Sequence, residues 1–89
     1  MPRIVFTENL QRHLACQPAT VDGTTVRQVL DAVFSANERA RGYVLDEHGE
    51  VRKHMIVFVN GTMVRDRRLL TDSVDADATV YVMQALSGG

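Results

Sequence analysis

The chain has 89 residues, with 45% apolar and 24% charged side chains, which suits one globular domain and leaves too little chain for a second core. Ten basic residues against eleven acidic ones give a net charge of −1, with no basic stripe to neutralise a phosphate backbone and no apolar run near the ~18 residues of a membrane span. Nucleic acid and membranes are therefore not expected partners. The single cysteine, Cys16, excludes an internal disulfide and any paired-cysteine metal or redox motif, and with no export signal at Met1-Pro2-Arg3 it points to a reducing cytoplasm.

Arg3-Ile4-Val5-Phe6 is β-branched and aromatic and predicts a first strand. A second extended segment is expected around residues 16–21, where Pro18 confines it to a sheet edge. The glycines of Asp22-Gly23, Arg41-Gly42, His48-Gly49 and Asn60-Gly61 are read as turn positions open to positive φ. After Gly23 the period changes. Val26, Val29, Leu30, Val33 and Phe34 recur at helical spacing and form one stripe, and Thr25 with Gln28 has the form of a capping box, Thr24 being the alternative cap. This helix is expected to fade near Asn37.

Residues 38–53 are polar and predict a loop, with room for a short helical turn before Tyr43. Met55-Ile56-Val57-Phe58-Val59 is an apolar strand running into Asn60-Gly61, the strongest short hairpin signal, with Thr62-Met63-Val64 returning. Leu69 and Leu70 are expected to anchor a further crossing, Asp75 and Asp77 a polar turn, and residues 79–86 the last strand. The order gives an α+β domain, one main helix against a mixed sheet, with a right-handed crossover where a helix joins strands.

Strand alternation sorts the two faces. With Val57, Val59, Val80 and Val82 turned to the helix, Ile56, Phe58, Tyr81 and Met83 share the outer face, an apolar patch of the kind small proteins use for binding. Cys16 reads as a small residue beside a strand rather than a relay thiol. His13, His48 and His54 share no metal-ligand spacing, and Asp72, Asp75 and Asp77 lack the glycine and glutamate of a calcium loop. Arg65, Arg67 and Arg68 read as a solvated basic face. No nucleophile–base pair or phosphate loop is present, so no catalytic residue or metal site of its own is expected.

The sequence closes on Ser87-Gly88-Gly89. Two glycines lack any side chain to pack and cost entropy to order; what they offer is a flexible thread able to enter a channel too narrow for a side chain. Together with residues 21–34, the strand ending Val59-Asn60-Gly61, and residues 77–89 with their Tyr81-Val82-Met83-Gln84-Ala85-Leu86 run, this terminus resembles the MoaD/ThiS-type sulfur carriers of the ubiquitin-like β-grasp fold. The resemblance covers nearly the whole chain, most weakly at residues 38–53.

The resemblance implies a β-grasp domain over residues 1–86 and a reactive tail at residues 87–89. It implies a protein cosubstrate rather than an enzyme. An E1-like enzyme using ATP and Mg²⁺ would adenylate the Gly89 carboxylate, and a sulfur donor such as a sulfurtransferase or desulfurase would then leave a thiocarboxylate. An acceptor synthase would take the sulfur into cysteine, molybdopterin or another metabolite, and the carrier could also serve as that synthase's small subunit. Gly88 and Gly89 would carry the chemistry, and Ile56, Phe58, Tyr81, Met83, Leu86 and Ser87 would meet the partner. Gln84 stands where many relatives have proline, and the double-proline approach of molybdopterin carriers is missing. The alternative is a ubiquitin-like modifier or a non-catalytic interaction module; the single lysine, Lys53, offers few sites for self-linked chains.

Overall fold

The computed structural model describes residues 1–85. Leu86, Ser87, Gly88 and Gly89, and with them the last predicted strand residue and the predicted tail, lie outside the described residues. Five strands form one mixed sheet: β1 (Arg3–Phe6), β2 (Ala19–Thr20), β3 (Met55–Val59), β4 (Thr62–Met63) and β5 (Thr79–Gln84), in the order β2-β1-β5-β3-β4. β1 and β5 pair in parallel at the centre, and every other pairing is antiparallel. This is the expected α+β architecture, and it is a β-grasp sheet.

Three helices join the strands rather than one: α1 (Glu8–Leu14), α2 (Val26–Phe34) and α3 (Glu38–Val44). The α2 stripe is as predicted, with Val26, Val29, Leu30 and Phe34 fully buried among Ile4, Phe6, Val57, Val80 and Val82. The Phe34 ring lies 6.2 Å from that of Phe6. Both threonines act at its start. Thr25 Oγ1 accepts from the Gln28 amide at 3.2 Å, while Gln28 Oε1 accepts from the amide and hydroxyl of Thr24. Two further amides of this first turn, those of Val26 and Arg27, donate to the carbonyls of Asp72 and Leu70, so a loop from the far end of the chain completes the cap.

The helix stops at Phe34, earlier than expected, because Asn37 belongs to the next one. Its side chain accepts from the Ala40 amide to cap α3 and donates to the Leu14 carbonyl at 2.9 Å. The 38–53 segment is thus not mainly loop. Its first half is helix, burying Ala40 and Val44, and Gly42 lies inside that helix rather than in a turn. Among the described glycines, positive φ is confined to Gly49 and Gly61. Gly23 is needed for closeness instead: a Cβ there would meet Val29 Cγ2 at 2.9 Å. α1, absent from the sequence reading, carries only Leu10 and Leu14 on its buried face.

The Asn60-Gly61 hairpin is as predicted. Both residues have positive φ, 50° and 85°, as a two-residue primed turn requires. Asn60 also ties the turn to β5, exchanging hydrogen bonds of 2.9 Å with the backbone of Thr79 through its own amide and its Oδ1. The expected crossing at Leu69 and Leu70 is a turn with no strand. Leu69 is 67% exposed, whereas Leu70 is fully buried in the left-handed region at φ 57°.

Polar side chains lock these loops. Asp66 accepts from the amides of Arg68 and Leu69 and from the Thr71 hydroxyl, which holds its carboxyl at about 2, below the ordinary value of 3.8. Asp72 accepts from the amides of Arg65 and Asp66. Arg27 reaches the carbonyls of Gly49, Arg68 and Leu69. Arg67 is not part of a solvated face: its Nη2 donates to the carbonyls of Arg52 at 2.7 Å and Met55 at 2.8 Å.

Candidate functional site

The site is built by strand alternation. β3 and β5 pair with Ile56 opposite Met83 and Phe58 opposite Tyr81, so the four side chains form two adjoining rows on one face of the sheet. Their neighbours Val57, Val80 and Val82 are buried on the other face. Ile56, Phe58 and Met83 are half-buried and Tyr81 is 38% exposed, which matches the sorting of faces read from the sequence; Val59, expected inside, is only half-buried. Among the described residues α2 packs on the inner face, and the outer face is bordered only at Met83, by the start of α1.

Phe58, Tyr81 and Met83, with Asn60, Gly61 and Thr79, line an apolar groove of about 350 Å³ at the hairpin end. A second groove of about 590 Å³ lies between the start of α1 and the end of β5, lined by Thr7, Glu8, Asn9, Arg12, Met83, Gln84 and Ala85. Met83 belongs to both, so the two grooves form one track along β5 that ends at Ala85. The α1 wall was missed from the sequence because Leu10 and Leu14 alone make a weak helical stripe. The signals that could have found it are a threonine at the N-cap position followed by the acidic first-turn residue Glu8 and an i, i+4 leucine pair.

The root of the terminal segment is fixed. Gln84 pairs with Met55, and the Ala85 amide donates to the His54 carbonyl at 2.7 Å. Leu86, Ser87, Gly88 and Gly89, expected to carry docking and chemistry, lie outside the described residues.

The remaining reactive side chains do not converge on this track. Cys16 is buried, with Asn37 Nδ2 3.4 Å from its Sγ. Burial pushes its thiol up, against a smaller opposing effect of the Asn37 hydrogen bond, so the nucleophilic thiolate is disfavoured. His13, Tyr43 and His54 form a chain of edge contacts, with ring centroids 5.1 Å and 6.0 Å apart. Among the described residues no group of three or more His, Cys, Asp or Glu side chains is placed to hold a metal, and no helix is long and apolar enough to cross a membrane.

Known structures share this architecture at low identity. A chain of the Amycolatopsis orientalis BexX/CysO complex aligns over all of both chains with a TM-score of 0.83 at 22% identity. The small archaeal modifier protein SAMP1 of Haloferax volcanii aligns over 99% of this chain and 98% of its own, with a TM-score of 0.77 at 24% identity. Mycobacterium tuberculosis CysO aligns over 97% of this chain and 100% of its own, with a TM-score of 0.80 at 17% identity. No curated protein matches the sequence. The model of the ThiS family matches residues 11–89, which takes in the outer-face strands and the terminal Gly88-Gly89. The chain belongs to the ThiS family, and its fold is the ubiquitin-like β-grasp that these structures share.

Proposed function

We propose that this chain is a sulfur carrier whose Gly89 carboxylate is adenylated by an E1-like enzyme with ATP and Mg²⁺, then converted to a thiocarboxylate by a sulfurtransferase or desulfurase. The thiocarboxylate passes its sulfur to an acceptor in a synthase that makes cysteine, molybdopterin or another sulfur metabolite. The observation that carries this reading is the family match, which runs through the strands of the outer face to Gly89. The geometry supports it: the track follows β5 from the apolar groove of Phe58, Tyr81 and Met83 to the more polar groove beside the start of α1, and reaches Ala85. A partner seated on the track would contact β5 as far as Ala85.

The chemical logic is simple. A carboxylate resists nucleophilic attack, and the acyl-adenylate supplies a leaving group. The sulfur that replaces AMP is then carried as a soft nucleophile on a segment whose final residues lack side chains. Catalytic groups belong to the partners, and the carrier contributes the substrate atom and the docking face. Its role as the small subunit of a synthase is a special case of the same chemistry.

A second reading is favoured by the likeness to SAMP1, a modifier protein: Gly89 would be joined to an amine of another protein after the same adenylation. Exchange of labelled pyrophosphate into ATP with the cognate E1-like enzyme tests the shared step. The full chain is expected to support exchange and a chain lacking Gly88 and Gly89 to support none; exchange unaffected by the deletion overturns the proposal. Recovery of Gly89 as a thiocarboxylate, rather than in an amide, then separates carrier from modifier.

A further inference from the structure

β5 lies inside the sheet, yet it outruns its neighbour β1. The parallel pair ends with Phe6 beside Val82, and Met83 and Gln84 continue β5 beyond it. On the opposite side the antiparallel pairing with β3 goes on, with Met55 opposite Gln84. In such a pair only alternate residues exchange hydrogen bonds with the residue opposite. The Ala85 amide donates to the His54 carbonyl and the Asn60 amide to that of Thr79, so the odd-numbered residues of β5 are the ones that bond β3. Val80, Val82 and Gln84 therefore turn their amides and carbonyls the other way, toward β1.

β1 meets Val82 but not Gln84. The Thr7 amide donates to the Val82 carbonyl at 3.1 Å, and the Thr7 carbonyl stands next in line to accept from the Gln84 amide. It accepts from the Gln11 amide at 2.8 Å instead, because the chain has already turned into α1. Among the described residues, the backbone amide and carbonyl of Gln84 have no hydrogen-bond partner. They face the groove of about 590 Å³ between β5 and the start of α1, whose far wall is Thr7, Glu8, Asn9 and Arg12.

An unpaired donor and acceptor at strand spacing are a template for another strand. The wall opposite carries one acid and one base, Glu8 and Arg12, with Arg12 Nη2 donating to Asn9 Oδ1 at 3.1 Å, so no net charge there selects an ionic ligand. The ligand that matches is peptide backbone. Met83 lines this groove and the apolar groove of the outer face alike, so a protein seated on that face is already at the open edge.

Resting on the carrier reading above, we propose that the groove between α1 and β5 is a strand-addition site: an extended segment of the activating enzyme takes the place that β1 vacates and pairs its backbone with the amide and carbonyl of Gln84. The apolar face then supplies contact area, and the Gln84 rung sets the register of the enzyme along β5.

The test joins hydrogen exchange to binding. In the free, ¹⁵N-labelled full chain the Gln84 amide should exchange at least about tenfold faster than those of Met83 and Ala85, which bond β3. An E1-like enzyme that supports pyrophosphate exchange with this chain, added without ATP, should slow the Gln84 amide. Calorimetric affinity for that enzyme should fall at least about tenfold in Gln84→Pro, which has no amide to donate, and stay within about twofold in Gln84→Ala, which keeps it. Gln84 gives no bond to β3, so Gln84→Pro should melt as the parent does. A Gln84 amide as slow as its neighbours in the free chain, or one still fast in the complex, overturns the proposal. So does a Gln84→Pro chain that binds like the parent, or an equal loss in Gln84→Ala, which would assign recognition to the side chain. These results leave the carrier reading standing, because that reading falls on pyrophosphate exchange. Where no enzyme supports that exchange, the reading and the proposal fall together.

Discussion

The two faces of the β3–β5 pair are made by the same strands with alternate side chains, yet they do different work. Val57, Val80 and Val82 are removed from water against α2 and hold the domain together. Ile56, Phe58, Tyr81 and Met83 are also apolar, but no element of the described residues covers them fully. Apolar character alone therefore does not say which residues stabilise a small sheet. The position of the covering helix does, and the uncovered face is the one available to a partner.

The largest expected effect is on the covered face. Val82→Asp buries an unpaired carboxylate in a site with no partner, which costs several kcal/mol out of a total of roughly 5–15 kcal/mol. The variant should show no cooperative unfolding transition at room temperature. A folded, cooperative Val82→Asp would dissolve the distinction between the faces.

Next comes the polar lock behind the sheet. Arg67→Ala removes the guanidinium that bridges the Arg52 and Met55 carbonyls, with an expected loss of about 1–3 kcal/mol in urea denaturation. A loss of a few tenths would return Arg67 to the solvated face that the sequence suggests.

A smaller effect is pH-dependent. The folded Asp66 carboxyl is held at about 2 against an ordinary 3.8, so its contribution is present above pH 4 and is lost as the pH falls through the folded value. Melting temperature should drop between pH 4 and pH 2, and Asp66→Asn should flatten that part of the curve while lowering the plateau above it. A variant as steep as the parent would assign the acid loss to other carboxylates.

The smallest effect on folding is expected on the open face. Phe58→Asp should cost clearly less stability than Val82→Asp, since Phe58 is half-buried rather than fully buried, while removing a large part of the affinity for the proposed activating enzyme, since a central aromatic contact is commonly worth about 2 kcal/mol or more. Unfolding of Phe58→Asp, set beside Val82→Asp, would show that both faces are structural.

Legibility in the sequence followed the range of the interactions. α2 could be read because its five apolar residues obey one period, and the hairpin because Asn60-Gly61 dictates its own φ angles. The shared outer face of Ile56, Phe58, Tyr81 and Met83 followed from alternation once both strands were placed; their pairing is set by the register of β3 on β5. α3 and the 66–72 turn were not legible, because their anchors come from afar: Asn37 caps α3 while holding Leu14, and Leu70 is kept left-handed and buried under the first turn of α2. Arg67 read as surface charge for the same reason, its partners being 12 to 16 residues away. Of the candidate site, the outer-face residues were legible and the α1 wall of Thr7, Glu8, Asn9 and Arg12 was not.

The central claim is that Gly89 carries sulfur, and it is tested most directly by intact and fragment mass spectrometry of the protein isolated from its own host. The expected result is a population heavier by the difference between one sulfur and one oxygen, placed by fragmentation on Gly89 and not on a methionine. Gly89 found only as the free acid under conditions of active sulfur assimilation, or only in amide linkage to other proteins, would contradict it.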